Sequence, residues 1–216
     1  MPLLDQPLQL ILILFMLSIF PLALVLGSSF LKIAIVFSLL RNALGIQQTP
    51  PNIAIYGLAL VLTLFTMAPI ILAIQSNLIN EPIEIESPLF IQKVERNILL
   101  PYREFLKKNT DPEQQFFFAN IGHQIWPEKY HDKIPDESLL ILLPAFTVSQ
   151  LIEAFKIGLL LFLPFIAIDL IVSNVLLAMG MMMVSPMTIS MPLKLLIFVL
   201  MGGWEKLLRQ LILSFS

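Results

Sequence analysis

The stretch that decides the fold class is IGLLLFLPFIAIDLIVSNVLLAM, residues 157–179. It contains a single charged residue, Asp169. An α-helix needs roughly 20 apolar residues to cross the hydrocarbon core of a bilayer, so this stretch is long enough to span it. Residues 53–74 form a second uncharged run of spanning length. These two runs predict an all-α membrane protein.

The composition of the whole chain agrees with this prediction. Of the 216 residues, 57% are hydrophobic and 13% are charged, and the mean hydropathy is +0.87. A soluble domain carries about 25% charged residues. The net charge of −2, without a basic patch, argues against a nucleic-acid partner. The chain has no cysteine, which excludes disulfides, thiolate nucleophiles and cysteine-ligated metals.

The charged residues are unevenly distributed. Residues 81–137 hold 18 of the 28 charged side chains, counting 13 basic and 15 acidic residues in the chain. This predicts three regions: an N-terminal apolar helical hairpin over residues 1–80, a polar helical insertion over residues 81–137, and C-terminal apolar helices over residues 138–216. We expect the insertion to lie outside the membrane.

The two apolar regions are expected to contain about four long helices. The first begins near residue 6 and is interrupted only by Lys32. No basic residue precedes it, so we interpret it as retained and not as a cleaved signal. Prolines divide the C-terminal region into blocks, of which residues 138–152 are too short to span and residues 187–204 are marginal because of Lys194. These prolines are Pro144, Pro164, Pro186 and Pro192.

The polar insertion carries helix signals of its own. Ser87 and Asp111 each precede a proline, which predicts an N-cap followed by proline at the first helical position. Gln114 follows Asp111 at capping-box spacing. Three consecutive phenylalanines, residues 116–118, predict a contact with the rest of the chain, because exposing them to water is unfavourable. We expect two or three short helices here.

Six charged residues lie in or beside apolar segments, where each costs about 2.5–3.5 kcal/mol at mid-bilayer. We expect them to have partners within the chain or on neighbouring subunits. They are Lys32, Arg41, Glu153, Lys156, Asp169 and Lys194.

Glu153 and Lys156 are three residues apart and share one side of a helix. Three interpretations remain open for them: an intrahelical ion pair, a subunit-interface contact and part of a proton relay. A relay needs a series of titratable groups, and Asp169 stands alone in the sequence beyond them. Lys32 and Arg41 fall on opposite sides of a straight helix, so each is expected at an interface or a lipid headgroup.

Methionines cluster near the C-terminus, where residues 179–191 contain six of the ten in the chain. Methionine is soft and adaptable and packs against varied neighbours. Gly180 and Pro186 flank Met181, Met182 and Met183, which favours a loop over a continuous helix. A ring of such loops, one from each subunit, would form a deformable seal. Ordinary packing is the alternative interpretation of the same cluster.

Sequence signatures of enzymes are not found, including the nucleotide-binding, serine-hydrolase and metalloprotease motifs. His123 and His131 have no third ligand at metal spacing. We therefore expect neither catalysis nor a cofactor, and any transport would draw its energy from elsewhere.

Residues 29–45 read SFLKIAIVFSLLRNALG and are followed by PPN at residues 50–52. This run resembles the N-terminal signature of the SctR/FliP family of type III secretion export-apparatus proteins. The C-terminal half is similar in LLPAF, AFKIG, IDL and PLKL, which begin at residues 142, 154, 168 and 192, and in the methionine segment. The resemblance covers nearly the whole chain and is weakest in the insertion.

The resemblance implies a core subunit of the export gate in the bacterial inner membrane. It implies a homopentameric helical ring or cone, completed by SctS-like and SctT-like subunits and served by an SctU-like protein. Secreted proteins would pass through it unfolded, and Met181, Met182 and Met183 would correspond to the family's methionine gasket. In this family the subunits sit largely above the membrane plane, so an apolar helix need not be a span.

Two departures limit what the resemblance carries over. Gly202 stands where flagellar relatives typically have an acidic residue, and Gln150 stands where glutamate is common. We expect no ionic contact at either position. The N-terminal segment favours the virulence-associated injectisome over the flagellum. The alternatives are a flagellar export gate and a small proton-coupled carrier that uses Asp169.

Overall fold

The computed structural model describes residues 25–46, 50–81 and 89–215, together with positions 11, 14, 15, 18 and 22. All regular elements in these ranges are helices, in agreement with the predicted all-α class. Eight are α-helices: α1 (Phe30–Ala43), α2 (Asn52–Asn80), α3 (Phe90–Val94), α4 (Leu100–Lys108), α5 (Pro112–Ile125), α6 (Leu139–Ala178), α7 (Pro186–Leu200) and α8 (Gly203–Leu213). A π-helical turn, Glu95–Leu99, joins α3 to α4, and a 3₁₀ turn, Glu128–Lys133, follows α5.

Two of these helices, α2 with 29 residues and α6 with 40, are long and apolar enough to cross a membrane. Helices α7 and α8 pass the same test only as a pair, and they are bent by 65° at a short break. The described residues therefore contain two spanning candidates, or three if the bent pair is one span. The N-terminal helix predicted to begin near residue 6 starts in residues that lie outside the described ranges.

Helix α6 runs unbroken through Pro144 and Pro164, so the predicted division of this region at these prolines is wrong. A proline inside a helix removes one backbone hydrogen bond and strains the preceding turn. In apolar surroundings, ending the helix would leave several backbone groups without hydrogen-bond partners, which costs more than the single lost bond. The continuous apolar sequence therefore keeps the helix intact.

The break between α7 and α8 is made by two glycines. Gly202 has φ of +63°, in the left-handed region that favours glycine. At Gly203 a Cβ atom would lie 2.4 Å from the ring of Phe198, so a side chain does not fit there. Residues 187–204, predicted as one marginal span, are therefore interrupted near their end.

The described chain forms two compact units. The first contains residues 1–31 and 70–149, and the second contains residues 32–69 and 150–216.

The first unit is built around the insertion helices and the beginning of α6. Phe105 of α4 packs against Phe146 of α6, with ring centroids 5.6 Å apart. The hydroxyl of Tyr102 donates to the backbone oxygen of Gly27 at 2.9 Å. Burial raises the pKa of Tyr102 to about 12, because the charged phenolate is disfavoured away from water.

The N-terminus of α5 confirms the predicted cap at Asp111. Its side chain accepts a hydrogen bond from the backbone nitrogen of Glu113 at 3.0 Å, and Pro112 occupies the first helical position. The predicted return bond from Gln114 is replaced by a tertiary contact, because the backbone nitrogen of Asp111 donates to the hydroxyl of Ser149. The predicted cap at Ser87 lies outside the described residues.

The phenylalanines of α5 do not dock as the sequence suggested. Phe116 and Phe117 are both exposed, and Phe118 is partly exposed. Their aromatic surface is therefore presented to the outside of the chain. The π-helical turn instead buries a polar residue, since the amide of Asn97 donates to the backbone oxygen of Glu81 at 3.2 Å.

The second unit contains most of the candidate functional residues. Its core includes Phe198 of α7, whose ring packs against those of Phe165 in α6 and Trp204 in α8. The ring centroids are 6.2 Å and 5.5 Å apart, respectively. Phe37 of α1 packs edge-on against the same Trp204 at 6.4 Å. Aromatic contacts therefore join the second halves of α1 and α6 to α7 and α8.

Candidate functional site

Lys32 of α1 is a buried cation held by a carboxylate of α6. Its Nζ donates to Oε2 of Glu153 at 2.5 Å, and the ring centroid of Phe215 lies 4.0 Å from the same nitrogen. The Lys32 side chain is 1% exposed, whereas that of Glu153 is 48% exposed. The lysine is thus enclosed, and the carboxylate lies partly at the surface of the unit.

Lys194 of α7 repeats this arrangement further along α6. Its Nζ donates to Oδ2 of Asp169 at 2.6 Å and to the backbone oxygen of Ala43 at 3.2 Å. The side chains are 3% and 40% exposed, in the same order of lysine and carboxylate. Asp169, which stands alone in the sequence, is therefore paired in the structure.

The two pairs share a physical logic. An unpaired ammonium in an apolar interior is very costly, and a carboxylate at hydrogen-bond distance compensates for much of that cost. Both carboxylates come from α6, whereas the lysines come from α1 and α7. Each pair therefore joins another helix to α6 by a charge-assisted hydrogen bond.

Glu153 and Lys156 do not form an ion pair with each other in the described part of the chain, where Glu153 is engaged by Lys32. Lys156 is exposed on the apolar surface of α6. Gln150, on the same side of the helix, is buried. Gln150, Glu153 and Lys156 follow one another at intervals of three residues along α6, and their side chains are thus divided between the interior and the surface.

Arg41, in the last turn of α1, bonds to a neutral side chain. Its Nη1 donates to Oδ1 of Asn52, the first residue of α2. Its Nε is buried and has no hydrogen-bond partner among the residues that the structure describes. Unlike Lys32 and Lys194, Arg41 has no carboxylate within ion-pair distance among the described residues.

The methionine loop, residues 179–185, connects α6 to α7. Helix α6 ends in a Schellman motif, in which Gly180 has φ of +75°. The backbone nitrogen of Gly180 donates to the backbone oxygen of Leu177, and that of Met181 donates to the backbone oxygen of Leu176, both at 3.0 Å. Helix α7 then begins at Pro186, a proline at the first helical position, with Ser185 before it. The loop predicted from Gly180 and Pro186 is present.

The side chains of this loop are strongly exposed. Met183 is fully exposed, Met182 nearly so, and Met181 about half. No other part of the chain that the structure describes covers Met182 or Met183. Backbone bonds at the end of α6 fix where the loop begins, and its methionine side chains extend away from it.

The sequence predicts which charged residues need partners, but it does not predict which of them form ion pairs with each other. Lys32 and Glu153 are 121 positions apart, so no helical spacing relates them. The aromatic contacts of Phe198 and Trp204 carried no sequence signal distinct from ordinary apolar residues. Within the described residues no group of three or more histidine, cysteine or acidic side chains could hold a metal ion.

Comparison with known proteins places these features in a family. Residues 13–211 match the FliP family. The chain is 60% identical to the virulence protein YscR of Salmonella typhimurium over 98% of each chain. It is 51% identical to the Yop proteins translocation protein R of Yersinia pestis over 99% of this chain and 98% of that one. This chain belongs to the FliP family.

A further FliP-family relative is the surface presentation of antigens protein SpaP of Shigella flexneri, 42% identical over 90% of each chain. The predicted resemblance to the SctR/FliP family is therefore confirmed. The names of these relatives support the predicted association with type III secretion, protein transport and virulence. The family match includes both lysine pairs and the methionine loop.

Proposed function

We propose that this FliP-family chain is a channel-forming, non-enzymatic subunit of a type III secretion export gate in the bacterial inner membrane. Five copies would form a helical ring or cone, joined by SctS-like and SctT-like subunits and served by an SctU-like protein. Unfolded secreted proteins would pass through the ring, in contact with membrane lipid at its edge, and the insertion would lie in the periplasm. The relatives belong to virulence systems, which favours the injectisome.

The methionine loop is the observation that carries this proposal. Met181, Met182 and Met183 extend from a connection whose start is fixed by hydrogen bonds, and a single chain leaves them exposed. Exposed methionines are unfavourable in water, so such a loop is suited to meeting its own copies around an axis. The flexible thioether chains would close the opening and deform around a passing polypeptide. Gly180 and Pro186 would serve as the hinges of the loop.

The apolar surface of α2 also supports an assembly. Almost none of its most apolar window is buried within the chain. Lys156 is exposed, and the side chain of Glu153, three residues earlier in α6, is half-exposed. Charges on an apolar helix require compensation, and a neighbouring subunit would supply it.

The ion pair of Asp169 weakens the alternative of a proton-coupled carrier. A titrating carboxylate in a carrier must release its proton during transport, whereas Asp169 is held by Lys194 at 2.6 Å. This arrangement is better suited to fixing α7 against α6. The carrier would transport substrate as a purified single protein, and the gate subunit would not.

Replacement of Met181, Met182 and Met183 by alanine tests the seal. We expect the complex to assemble normally but to conduct small ions in its resting state, because three flexible side chains per copy are lost from the constriction. The measurement is ion conductance across a bilayer containing the purified complex, together with the mass of the complex.

The matched control replaces Met67, Met191 and Met201 by alanine, which makes the same chemical change outside the loop. This control is expected to remain tight to ions. Equal conductance of the two triple variants, or an unchanged conductance of the loop variant in an intact complex, would contradict the proposed seal.

A further inference from the structure

A polar cleft of about 420 Å³ lies between the end of α2 and the beginning of α4 in the first unit. Its volume is within the range of about 300–1,000 Å³ that is common for small-ligand sites. Most such sites are lined by apolar side chains, whereas amides and charged groups form most of this lining. The polar cleft therefore suits a polar ligand.

The π-helical turn Glu95–Leu99 contributes to the wall of the polar cleft. Turns of this kind are rare and occur frequently at functional sites. Here the turn buries Asn97, which is 3% exposed and whose amide nitrogen donates to the backbone oxygen of Glu81 at 3.2 Å. The amide nitrogen of Asn77 donates to the backbone oxygen of Asn97 at 3.4 Å. Both bonds use an amide nitrogen, which leaves the side-chain oxygens of Asn77 and Asn97 as acceptors for a ligand.

The charged groups of the polar cleft make it negative. Two carboxylates, Glu81 and Glu104, and one guanidinium, Arg96, give the lining a formal charge of −1. Arg96 is 3.7 Å from Glu81 and its side chain is 74% exposed, so this ion pair is weak. Glu104 is exposed and has no ion-pair partner among the described residues. A ligand that matches these groups donates hydrogen bonds and carries positive charge.

The lining also contains apolar surface, from Leu100 and Pro101. A bare metal ion would leave most of the 420 Å³ empty, and the described residues contain no group of three acidic or histidine side chains that could hold one. Ammonium groups joined by methylene segments match the polar and the apolar surface together. Carboxylates and amide oxygens accept hydrogen bonds from the ammonium groups, and the methylenes pack on the apolar side chains.

We propose that the polar cleft binds an aliphatic polyamine. One ammonium group is held by Glu104, and a second is held by Glu81 in competition with Arg96. The amide oxygens of Asn77 and Asn97 accept the remaining hydrogen bonds. The site does not depend on the channel function, since all of its residues belong to the first unit and none to the methionine loop.

Calorimetric titration of the full-length protein in a neutral detergent with spermidine tests the site. We expect one saturable site per chain, with an affinity that falls as salt is raised, because exposed charges are screened. Two further ligands are titrated in the same way, magnesium chloride and N-acetyl-lysine methylamide. The second carries a single ammonium group, as a lysine side chain of another protein would. Both are expected to bind at least about tenfold more weakly than spermidine, because each loses one or more of the contacts.

Two variants change the charge of the lining in opposite directions. Glu104→Gln should weaken spermidine binding about tenfold, because a charge-assisted hydrogen bond becomes a neutral one. Arg96→Gln should strengthen it about threefold, because a like charge is removed and Glu81 becomes available. The matched control is Glu113→Gln, the same change at an exposed glutamate of α5 outside the polar cleft, which should bind spermidine like the parent. Thermal unfolding of each variant shows that it remains folded.

The other outcomes would overturn the proposal. Equal losses in Glu104→Gln and Glu113→Gln, or no saturable binding of spermidine, would mean that the chain attracts cations only through its overall charge. Weaker binding by Arg96→Gln would identify a ligand that the guanidinium holds, and therefore an anion or a zwitterion. Tighter binding of magnesium than of spermidine would identify a metal site, and equal binding of the lysine derivative would identify a protein side chain as the occupant.

Discussion

Lys32 and Lys194 carry much of the specificity of the second unit at the residue scale. Each side chain is almost completely buried and forms an ion pair with one carboxylate of α6. A buried ion pair adds little net stability compared with apolar residues of similar size, but breaking it leaves an uncompensated charge. The pairs therefore discriminate against other ways of packing α1 and α7 on α6.

Glu153→Gln should destabilise the folded chain by about 2–3 kcal/mol. This is below the about 3–5 kcal/mol of a fully buried pair, because Glu153 is half-exposed and water screens part of the interaction. The expected fall in melting temperature is about 5–10 °C, measured by thermal unfolding in detergent.

Lys206→Gln serves as the control for this variant, since Lys206 is an exposed lysine of α8 that is not part of either lysine–carboxylate pair. Its effect on unfolding should stay within about 0.5 kcal/mol. The double variant Lys32→Met with Glu153→Gln should recover most of the loss, because an apolar side chain then fills the site. Identical melting temperatures for the parent and Glu153→Gln would show that Lys32 does not require its partner.

At the scale of elements, the main determinant is where helices end. Helix α6 continues through two prolines but stops at Gly180, and α7 stops before Gly202. In both cases the glycine has a positive φ that other residues adopt only with strain. Left-handed glycines therefore decide the helix boundaries in this apolar chain.

Gly180→Ala should destabilise the chain by about 1–2 kcal/mol through its left-handed backbone alone, because no atom lies within 4 Å of the added Cβ. Gly57→Ala is the matched control, since its Cβ also meets no atom within 4 Å but the residue lies inside α2. That change should stabilise α2 by about 0.5–1 kcal/mol. Thermal unfolding measures the change in stability of each variant. Changes of the same sign in both variants would contradict the conformational role of Gly180.

At the scale of the whole molecule, exposed apolar surface dominates. Helices α2 and α6 present most of their side chains outwards, and the methionine loop and the phenylalanines of α5 add to this surface. One chain cannot bury this much apolar area by itself. Membrane lipid and neighbouring subunits are the available surroundings.

Native mass measurement of the gently extracted complex should therefore show several copies of the chain. Lys156→Glu should reduce the multimeric fraction, because it reverses the exposed charge that we propose to lie between subunits. Lys206→Glu, an equal change at an exposed lysine of α8, should reduce it much less. A single chain under all mild conditions, or equal losses in both variants, would contradict this placement of the interface.

The sequence alone determined the helical class, the polar insertion, the cap at Asp111, the loop after Gly180 and the family. These features depend on composition or on neighbours within a few positions, so local physical chemistry suffices to predict them. Only the tertiary structure paired Lys32 with Glu153 and Lys194 with Asp169, carried α6 through its prolines and exposed Phe116. Each of these results depends on residues far apart in the chain, whose approach is decided by packing and by the cost of leaving buried charges and backbone groups unpaired.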